Sequence, residues 1–329
     1  MKEFTNAGLI LRGMAMGIAE VIPGVSGGTI AFITGIYKTL IDSIKAIDLS
    51  LFSSLLKFRI GEVWEKLNGT FLMWLIAGMI GGILVGVFGV TYLLETYPEV
   101  LWGFFFGLIL ASIPYMLSQL NARGGSVVLF FILGAIVAYG ITKLTPSQGS
   151  LSYTYVYIAG AIAISALVLP GISGSFMLLI MGLYTTIIPT IKAFLSSPEL
   201  SEFALLFVFG LGCLTGLAVF SRIIAAAFEK YYNPTIALLS GFMLGSLNKI
   251  WPWRNPSQLL DKDSGNFISV NSGNVKSYDL KSESIKIVQE ANVLPADYFY
   301  DGRLPIVIAA FVLGLVSVFL MSRFKTDKA

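Results

Sequence analysis

Two stretches of the sequence carry proline, glycine and hydroxyl residues inside apolar surroundings. The first, IPGVSGGTIAFITGIY, spans residues 22–37, and the second, LPGISGSFMLLIMGLY, spans residues 169–184. They align without a gap, and the matched pairs are Pro23 with Pro170, Gly24 with Gly171, Ser26 with Ser173, Gly27 with Gly174, Gly35 with Gly182 and Tyr37 with Tyr184. Whatever chemistry this stretch performs is therefore present twice.

The chemistry that these residue types suit is anion binding at a helix N-terminus. Ser26 and Ser173 are predicted N-caps, and the unpaired N–H groups beyond them carry partial positive charge. Two such ends that face each other would bind phosphate, carboxylate or halide. The predicted binding residues are Pro23, Gly24, Ser26, Gly27, Gly28, Thr29, Pro170, Gly171, Ser173, Gly174 and Ser175.

Glycine in membrane helices also serves close packing, and this alternative stays open for the two stretches. The spacings Gly78–Gly82–Gly86 and Gly212–Gly216 are assigned to packing alone. A packing glycine, however, needs neither a proline before it nor a capping hydroxyl after it, which favours binding for the doubled motif.

Ionisable residues are rare in the apolar segments. Glu20 precedes Pro23 by three residues and is a candidate for proton or cation coupling, or else a paired or interfacial glutamate. Arg12 and Arg222 are candidates for phosphate contact, or else reach to the inner interface. Lys249 and Arg254 bracket a tryptophan-rich element and are interpreted as structural anchors at the outer interface.

Composition places the chain in a membrane. Of its 329 residues 56% are hydrophobic and 12% charged, about half the charged share of a soluble domain, and the mean hydropathy is +0.80. A net charge of +3 gives no indication of nucleic acid. With no histidine and a single cysteine, Cys213, the sequence predicts no metal site, no disulfide and no cofactor.

The apolar segments predict an all-α polytopic membrane protein made of two repeats. The segments lie at about 7–22, 27–47, 70–94, 100–119, 126–143, 153–168, 174–195, 203–229, 235–250 and 304–323. We expect a first repeat at 1–148 with a re-entrant hairpin at 7–47, and a second at 149–329 with a hairpin at 153–195. Two full spans joined by a tight turn are the alternative for each hairpin.

Three spanning helices follow each hairpin, so the second repeat is expected to insert upside down relative to the first. Inverted repeats are typical of secondary transporters, with the substrate at the repeat interface. Lysine and arginine placement predicts that both termini lie in the cytoplasm. The polar insert at 255–303 then lies outside, where strand-like pieces such as NFISV predict a small cap. Two alternatives stay open for it, a tolerated surface loop and a functional lid.

Two enzymatic functions are not expected, because the sequence lacks residues that each of them needs. GVSG and GISG match the serine motif of rhomboid-type proteases, but no histidine exists to activate the serine. Metal-assisted hydrolysis lacks a carboxylate cluster. We therefore expect that the protein is not an enzyme.

The segments RGMAMGIAEVIPGVSGGTIAFITGIY, LPGISGS with its GLY, and GSLNKIWPWR together resemble the polyprenyl-phosphate transporter family, long known as a bacterial and archaeal domain of unknown function. The resemblance runs from about Arg12 to Arg254 and through the last span. It implies flipping of undecaprenyl phosphate, the lipid carrier of cell-wall sugars, from the outer to the inner leaflet. It also implies a bacterial or archaeal plasma-membrane location, an acidic residue near Glu20 and basic residues around the tryptophan-proline-tryptophan element. The insert after Arg254 is longer than the family pattern predicts.

The resemblance and the residues agree on a phosphate held by the two helix ends, with its isoprenoid tail in lipid. Arg12 and Arg222 would offset the charge, and Glu20 would couple H⁺ or Na⁺ movement. An anion channel with the same helix ends is the alternative function, and a scaffold for envelope enzymes is a third. The sequence does not define an oligomeric state.

Overall fold

The computed structural model describes residues 4–22, 24–122, 124–145, 149–197, 199–261, 264, 266–271, 274, 278, 282 and 284–323. Its helices are α1 (Asn6–Glu20), α2 (Gly27–Ile33), α3 (Tyr37–Lys45), α4 (Leu49–Leu56), α5 (Ile60–Lys66), α6 (Gly69–Thr96), α7 (Pro98–Leu117), α8 (Gly125–Lys143), α9 (Tyr153–Val168), α10 (Gly174–Ile180), α11 (Tyr184–Ser196), α12 (Leu200–Lys230), α13 (Tyr232–Ser246) and α14 (Leu304–Arg323). Its strands are β1 (Arg254–Asp261), β2 (Phe267–Ser269) and β3 (Ile285–Asn292).

Five of the described helices, α6, α7, α8, α12 and α14, are long and apolar enough to cross a membrane. A hydrocarbon core of ~30 Å needs about 20 helical residues, which each of them approaches or exceeds. The protein is thus an all-α multi-pass membrane protein, as the composition predicts. The segment expected at 235–250 ends four residues earlier than predicted, because α13 covers Tyr232–Ser246 and the chain continues as turns to Ile250.

The second arm of each predicted hairpin is broken in two, which corrects the continuous segments expected at 27–47 and 174–195. Gly35 (φ +74°) separates α2 from α3, and Gly182 (φ +70°) separates α10 from α11. At both glycines the chain closes a Schellman-type cap, in which the following N–H bonds the carbonyl five residues earlier at 3.0 Å. The positive φ at these two positions favours glycine and ends the helix.

Two short helices, α4 and α5, lie between the first hairpin and α6 and were not predicted. Asp48 caps α4 by accepting from the Leu51 N–H at 3.0 Å. The same carboxylate pairs with Lys66 at the end of α5, with 2.8 Å between Oδ1 and Nζ. The missed signal was this capping aspartate, which begins a helix too short to register as an apolar segment.

The long helices pack in pairs: α1 against α6, α9 against α12, α7 against α14 and α8 against α13. The predicted packing glycines lie at two of these contacts, namely Gly78, Gly82 and Gly86 on α6 and Gly212 and Gly216 on α12. A Cβ on Gly82 would overlap the carbonyl oxygen of Met14 in α1. The packing role predicted for these glycines is confirmed.

The polar insert forms a three-stranded antiparallel sheet in the order β2-β1-β3. The strand predicted in NFISV is present as β2, and the sheet begins one residue before the predicted insert. Trp251 donates to the carbonyl of Val293 at 2.8 Å, and Trp253 donates to that of Gly302 at 2.8 Å. Both indoles therefore attach the far end of the insert to the segment that follows α13. Arg303 completes the attachment through an ion pair of 2.8 Å with the buried Glu99 of α7.

We expect Gly82→Val to destabilise the α1–α6 pair by about 1–3 kcal/mol, because the added side chain must displace the backbone of α1. Gly81→Val is the matched control, since a Cβ at Gly81 meets nothing within 4 Å. Thermal unfolding of the detergent-purified variants measures the difference. Equal melting temperatures for the two variants would contradict the packing assignment.

Candidate functional site

The site consists of two tips, defined here as residues 24–29 and 169–175 in the turns between the arms of the hairpins. Pro23 falls within the first motif but outside the described residues. Nearly every described residue of the two tips is buried, including Pro170. Gly24 (φ +87°) and Gly171 (φ +83°) adopt the same left-handed conformation at equivalent positions. The two copies of the motif therefore fold locally in the same way.

Both predicted N-caps are confirmed. Ser26 Oγ accepts from the Gly28 N–H at 3.1 Å at the start of α2, and Ser173 Oγ accepts from the Phe176 N–H at 3.4 Å at the start of α10. Ser173 Oγ also lies 2.9 Å from Ser175 Oγ. Each tip thus gathers a hydroxyl cluster and backbone N–H groups at one helix end.

The two tips contact each other directly. Ser26 Oγ lies 3.1 Å from the carbonyl oxygens of both Leu167 and Leu169 and can donate to either. Thr29 Oγ1 accepts from the Gly171 N–H at 3.1 Å. These bonds join residues more than 140 positions apart, so the doubled motif forms one composite site.

Glycines at the tips permit this close approach. A Cβ on Gly28 would lie 2.5 Å from the Val168 carbonyl oxygen across the interface. A Cβ on Gly174 would lie 2.5 Å from the Ala163 carbonyl oxygen within the second hairpin. Buried non-helical backbone needs partners from the protein, and here the two tips cover each other.

A carboxylate occupies the N-terminus of α2. Glu20 Oε1 accepts from the Gly27 N–H at 2.8 Å, and a Cβ on Gly27 would lie 2.6 Å from the same oxygen. A carboxyl group of the protein therefore already lies where the sequence predicts that an anion binds. The sequence indicated that Glu20 is close to the first tip, but not this bond.

The structure does not bring Arg12 and Arg222 to the tips. Arg12 Nε donates to the carbonyl of Thr34 at 3.3 Å, at the end of α2 away from Ser26, and its guanidinium lies 5.0 Å from the Phe4 ring centroid. Arg222 donates to the carbonyl of Ile47 at 2.9 Å, beyond α3. Both guanidinium groups donate to backbone carbonyls at the ends of hairpin helices, away from the tips.

An apolar cavity of about 500 Å³ lies beside the second tip. It is lined by residues of α8, α9, α10 and α12 and by the tip residues Leu169 and Ile172. Leu169 thus both accepts the hydrogen bond from Ser26 and lines the cavity. A polar group at the tips and an apolar chain in the cavity would be in contact. Nothing in the sequence pattern predicts this cavity, because its walls come from four separate helices.

Within the described ranges, no cluster of three or more histidine, cysteine, aspartate or glutamate side chains is placed to hold a metal ion. The donors at the tips are hydroxyls and backbone N–H groups, which bind anions. The fold and the site together define a multi-pass membrane protein in which two broken hairpins meet at their tips.

Comparison with known proteins gives a consistent result. The sequence profile of the undecaprenyl phosphate translocase-like family matches residues 16–268. The chain is 40% identical to the polyprenyl-phosphate transporter of Vibrio cholerae over 305 residues, covering 93% of this chain and 94% of that protein. It is 34% identical to the polyprenyl-phosphate transporter of Staphylococcus aureus, covering 74% of this chain and 85% of that protein. No solved structure matches the chain.

The chain belongs to the undecaprenyl phosphate translocase-like family. The family and these relatives are named as transporters and not as enzymes. The matched region includes both tips.

We expect Thr29→Val to destabilise the protein by about 1–3 kcal/mol, because it leaves the buried Gly171 N–H without its acceptor. Thr29→Ser is the matched control, since it keeps the hydroxyl and loses only a methyl group. Thermal unfolding in detergent distinguishes the two. A valine variant as stable as the serine variant would show that the bond between the tips does not stabilise the fold.

Proposed function

We propose that the protein moves a polyprenyl phosphate, of which undecaprenyl phosphate is the bacterial example, from the outer to the inner leaflet of the plasma membrane. The observation that carries this proposal is the contact between the composite anion site and the apolar cavity at Leu169. A lipid with a phosphate head and an isoprenoid tail needs both environments side by side. The names of the two bacterial relatives support the substrate class.

The phosphate binds between the tips in an open state. In the conformation described here the tip donors are engaged with the protein itself, through the bonds of Ser26, Gly27 and Gly171. Separation of the tips frees the Ser26 hydroxyl and the Gly171 N–H, and a phosphate oxygen replaces their protein partners. Such an exchange of hydrogen bonds keeps the polar groups satisfied throughout the movement.

The two halves of the chain act as inverted repeats that rock against each other. The pairing of α1 with α6 matches that of α9 with α12, and the pairing of α7 with α14 matches that of α13 with α8. Each second arm is broken after a first helix of only seven residues, α2 or α10, about 10 Å long, and this early break supports re-entrant hairpins over continuous full spans. The substrate then lies where the repeats meet, as in other secondary transporters.

Glu20 couples transport to an ion. Its carboxylate holds the Gly27 N–H at 2.8 Å, so an incoming phosphate competes with it for the same donor. Two anionic groups at one buried site repel each other, and neutralisation of Glu20 by H⁺ or Na⁺ removes the repulsion. Phosphate binding and ion binding are thereby favoured together.

Arg12 and Arg222 act at the release end of the path rather than at the tips. Each lies near the chain segments that carry the basic residues assigned to the cytoplasmic side, and Arg12 lines a cavity of about 320 Å³ with Thr34 and Met321. Guanidinium groups bind phosphate bidentately, which suits a headgroup leaving the membrane.

An anion channel is the rival function, since it too would use opposed helix ends. The apolar cavity at the second tip favours the lipid transporter, because apolar walls bind a hydrocarbon tail and do not stabilise a halide ion. Within the described part of the chain, this wall includes Ile172 and Met177 next to the capping Ser173.

We expect Ser26→Ala and Ser173→Ala to slow flipping of a short-chain polyprenyl phosphate in liposomes by about tenfold, because each variant removes a hydrogen bond to a charged group. Ser112→Ala is the matched control, since this buried serine lies in α7, its hydroxyl bonds the Leu108 carbonyl of its own helix at 2.6 Å, and it lines none of the cavities described here. Chloride flux is recorded in the same vesicles. Chloride movement without lipid movement in the wild type would favour the channel and contradict the proposal.

We expect Glu20→Gln to abolish the response of flipping to an imposed gradient, because glutamine keeps an acceptor for the Gly27 N–H but cannot take up a proton or balance Na⁺. Flipping rates with proton, sodium and no gradient are compared for wild type and variant. Unchanged gradient dependence in the variant would remove Glu20 from the coupling mechanism.

A further inference from the structure

A polar cavity of about 410 Å³ lies between α10, the end of α8 and strand β3 of the insert. Its lining includes Lys249, Arg254, Glu290, Asn248 and Phe176. We call this set of residues the outer cluster. It is separate from the tip residues and from the apolar cavity beside them.

Arg254 is the most constrained member of the outer cluster. Its side chain is only 10% exposed, and its guanidinium lies 4.4 Å from the Trp102 ring centroid. One terminal nitrogen donates to the Lys249 carbonyl at 2.8 Å and to Glu290 Oε2 at 3.0 Å. Its Nε, however, is buried and has no hydrogen-bond partner in the described part of the chain. A buried, unpaired donor on a charged group is costly, which indicates that an acceptor is missing.

The charges of the outer cluster do not balance. Lys249 Nζ lies 3.7 Å from Glu290 Oε2, the same oxygen that pairs with Arg254. Two cations therefore share a single carboxylate oxygen. A phosphate monoester would supply up to two negative charges and three oxygens, enough for both cations and for the free Nε.

Lys249 connects the outer cluster to both tips. Its Cγ would lie 3.5 Å from a Cβ on Gly24 of the first tip. Its Nζ lies 5.0 Å from the ring centroid of Phe176, whose N–H bonds the capping Ser173. A group bound in the outer cluster is thus one side chain away from the composite site.

We propose that the outer cluster is a docking site for a phosphomonoester group before it reaches the tips, and that Glu290 occupies this site in the unloaded protein. Binding displaces the Glu290 carboxylate from Lys249 and Arg254 and so loosens β3 from the cavity. Strand β3 then serves as the gate of the path. This inference rests on the proposed function for its lipid, although free phosphate carries the same chemistry.

The test measures the affinity of the full-length protein in nanodiscs for two probes, a short-chain polyprenyl monophosphate and inorganic phosphate. We expect Arg254→Lys to weaken binding by about tenfold, because lysine loses the fork that reaches both oxygens. We expect Glu290→Gln to tighten binding by about tenfold, because the competing carboxylate is removed. Asp301→Asn is the matched control, since it removes the same charge from an exposed site next to Arg303 and should leave affinity unchanged.

The gain from Glu290→Gln is the decisive result, because misfolding cannot increase affinity. A gain with both probes, or with the lipid alone, supports docking of the lipid headgroup, and a gain with inorganic phosphate alone assigns the site to free phosphate. Equal affinities for Glu290→Gln and Asp301→Asn with both probes would overturn the inference and leave the outer cluster as an interfacial anchor.

Flipping in liposomes separates this inference from the proposed function. Wild-type protein that binds the probes through the outer cluster but moves no lipid would contradict the proposed function alone. Wild-type protein that moves lipid, with no effect of Glu290→Gln on affinity, would contradict the docking site alone.

Discussion

The structure depends on one constraint, which is that backbone polar groups inside a bilayer must be satisfied by protein. Each hairpin interrupts its helix at a glycine turn, at Gly24 or Gly171, and so leaves backbone donors and acceptors in the buried interior of the protein. The two interruptions satisfy each other: Ser26 bonds carbonyls of the second hairpin, and Thr29 accepts from Gly171. Neither hairpin tip is complete without the other, which explains why the motif occurs twice.

The same constraint bears on the change of state that we propose for the tips. Hydrogen bonds between the tips can be exchanged for bonds to an anionic ligand without leaving a buried donor unpaired. Glu20 already provides such an anion to Gly27, and Glu290 provides one to Arg254 and Lys249 in the outer cluster. In both places a carboxylate of the protein occupies the position proposed for phosphate. Close glycine contacts along α6 and α12 hold the first arms rigid around these exchangeable bonds.

Local features of this fold were readable from the sequence, and long-range ones were not. The caps at Ser26 and Ser173 follow from a hydroxyl placed before glycine at the start of an apolar run. The helix breaks at Gly35 and Gly182 had an equally local signal, but apolar residues on both sides concealed it.

The partners of these residues are set by tertiary packing. The bond from Ser26 to Leu169 spans 143 positions, and that from Arg254 to Glu290 spans 36. No periodicity in the sequence predicts either of these two hydrogen bonds. For the same reason Arg12 and Arg222, whose charge made them candidates, lie with backbone carbonyls away from the tips.

The most direct test of the central claim is a cryo-electron microscopy structure of the protein with a short-chain polyprenyl phosphate bound. The account predicts a state in which the bonds from Ser26 to Leu167 and Leu169 are open, with the phosphate between the two tips and the tail in the cavity beside Ile172. Phosphate bound elsewhere in every resolved state, with the tips still bonded to each other, would contradict it.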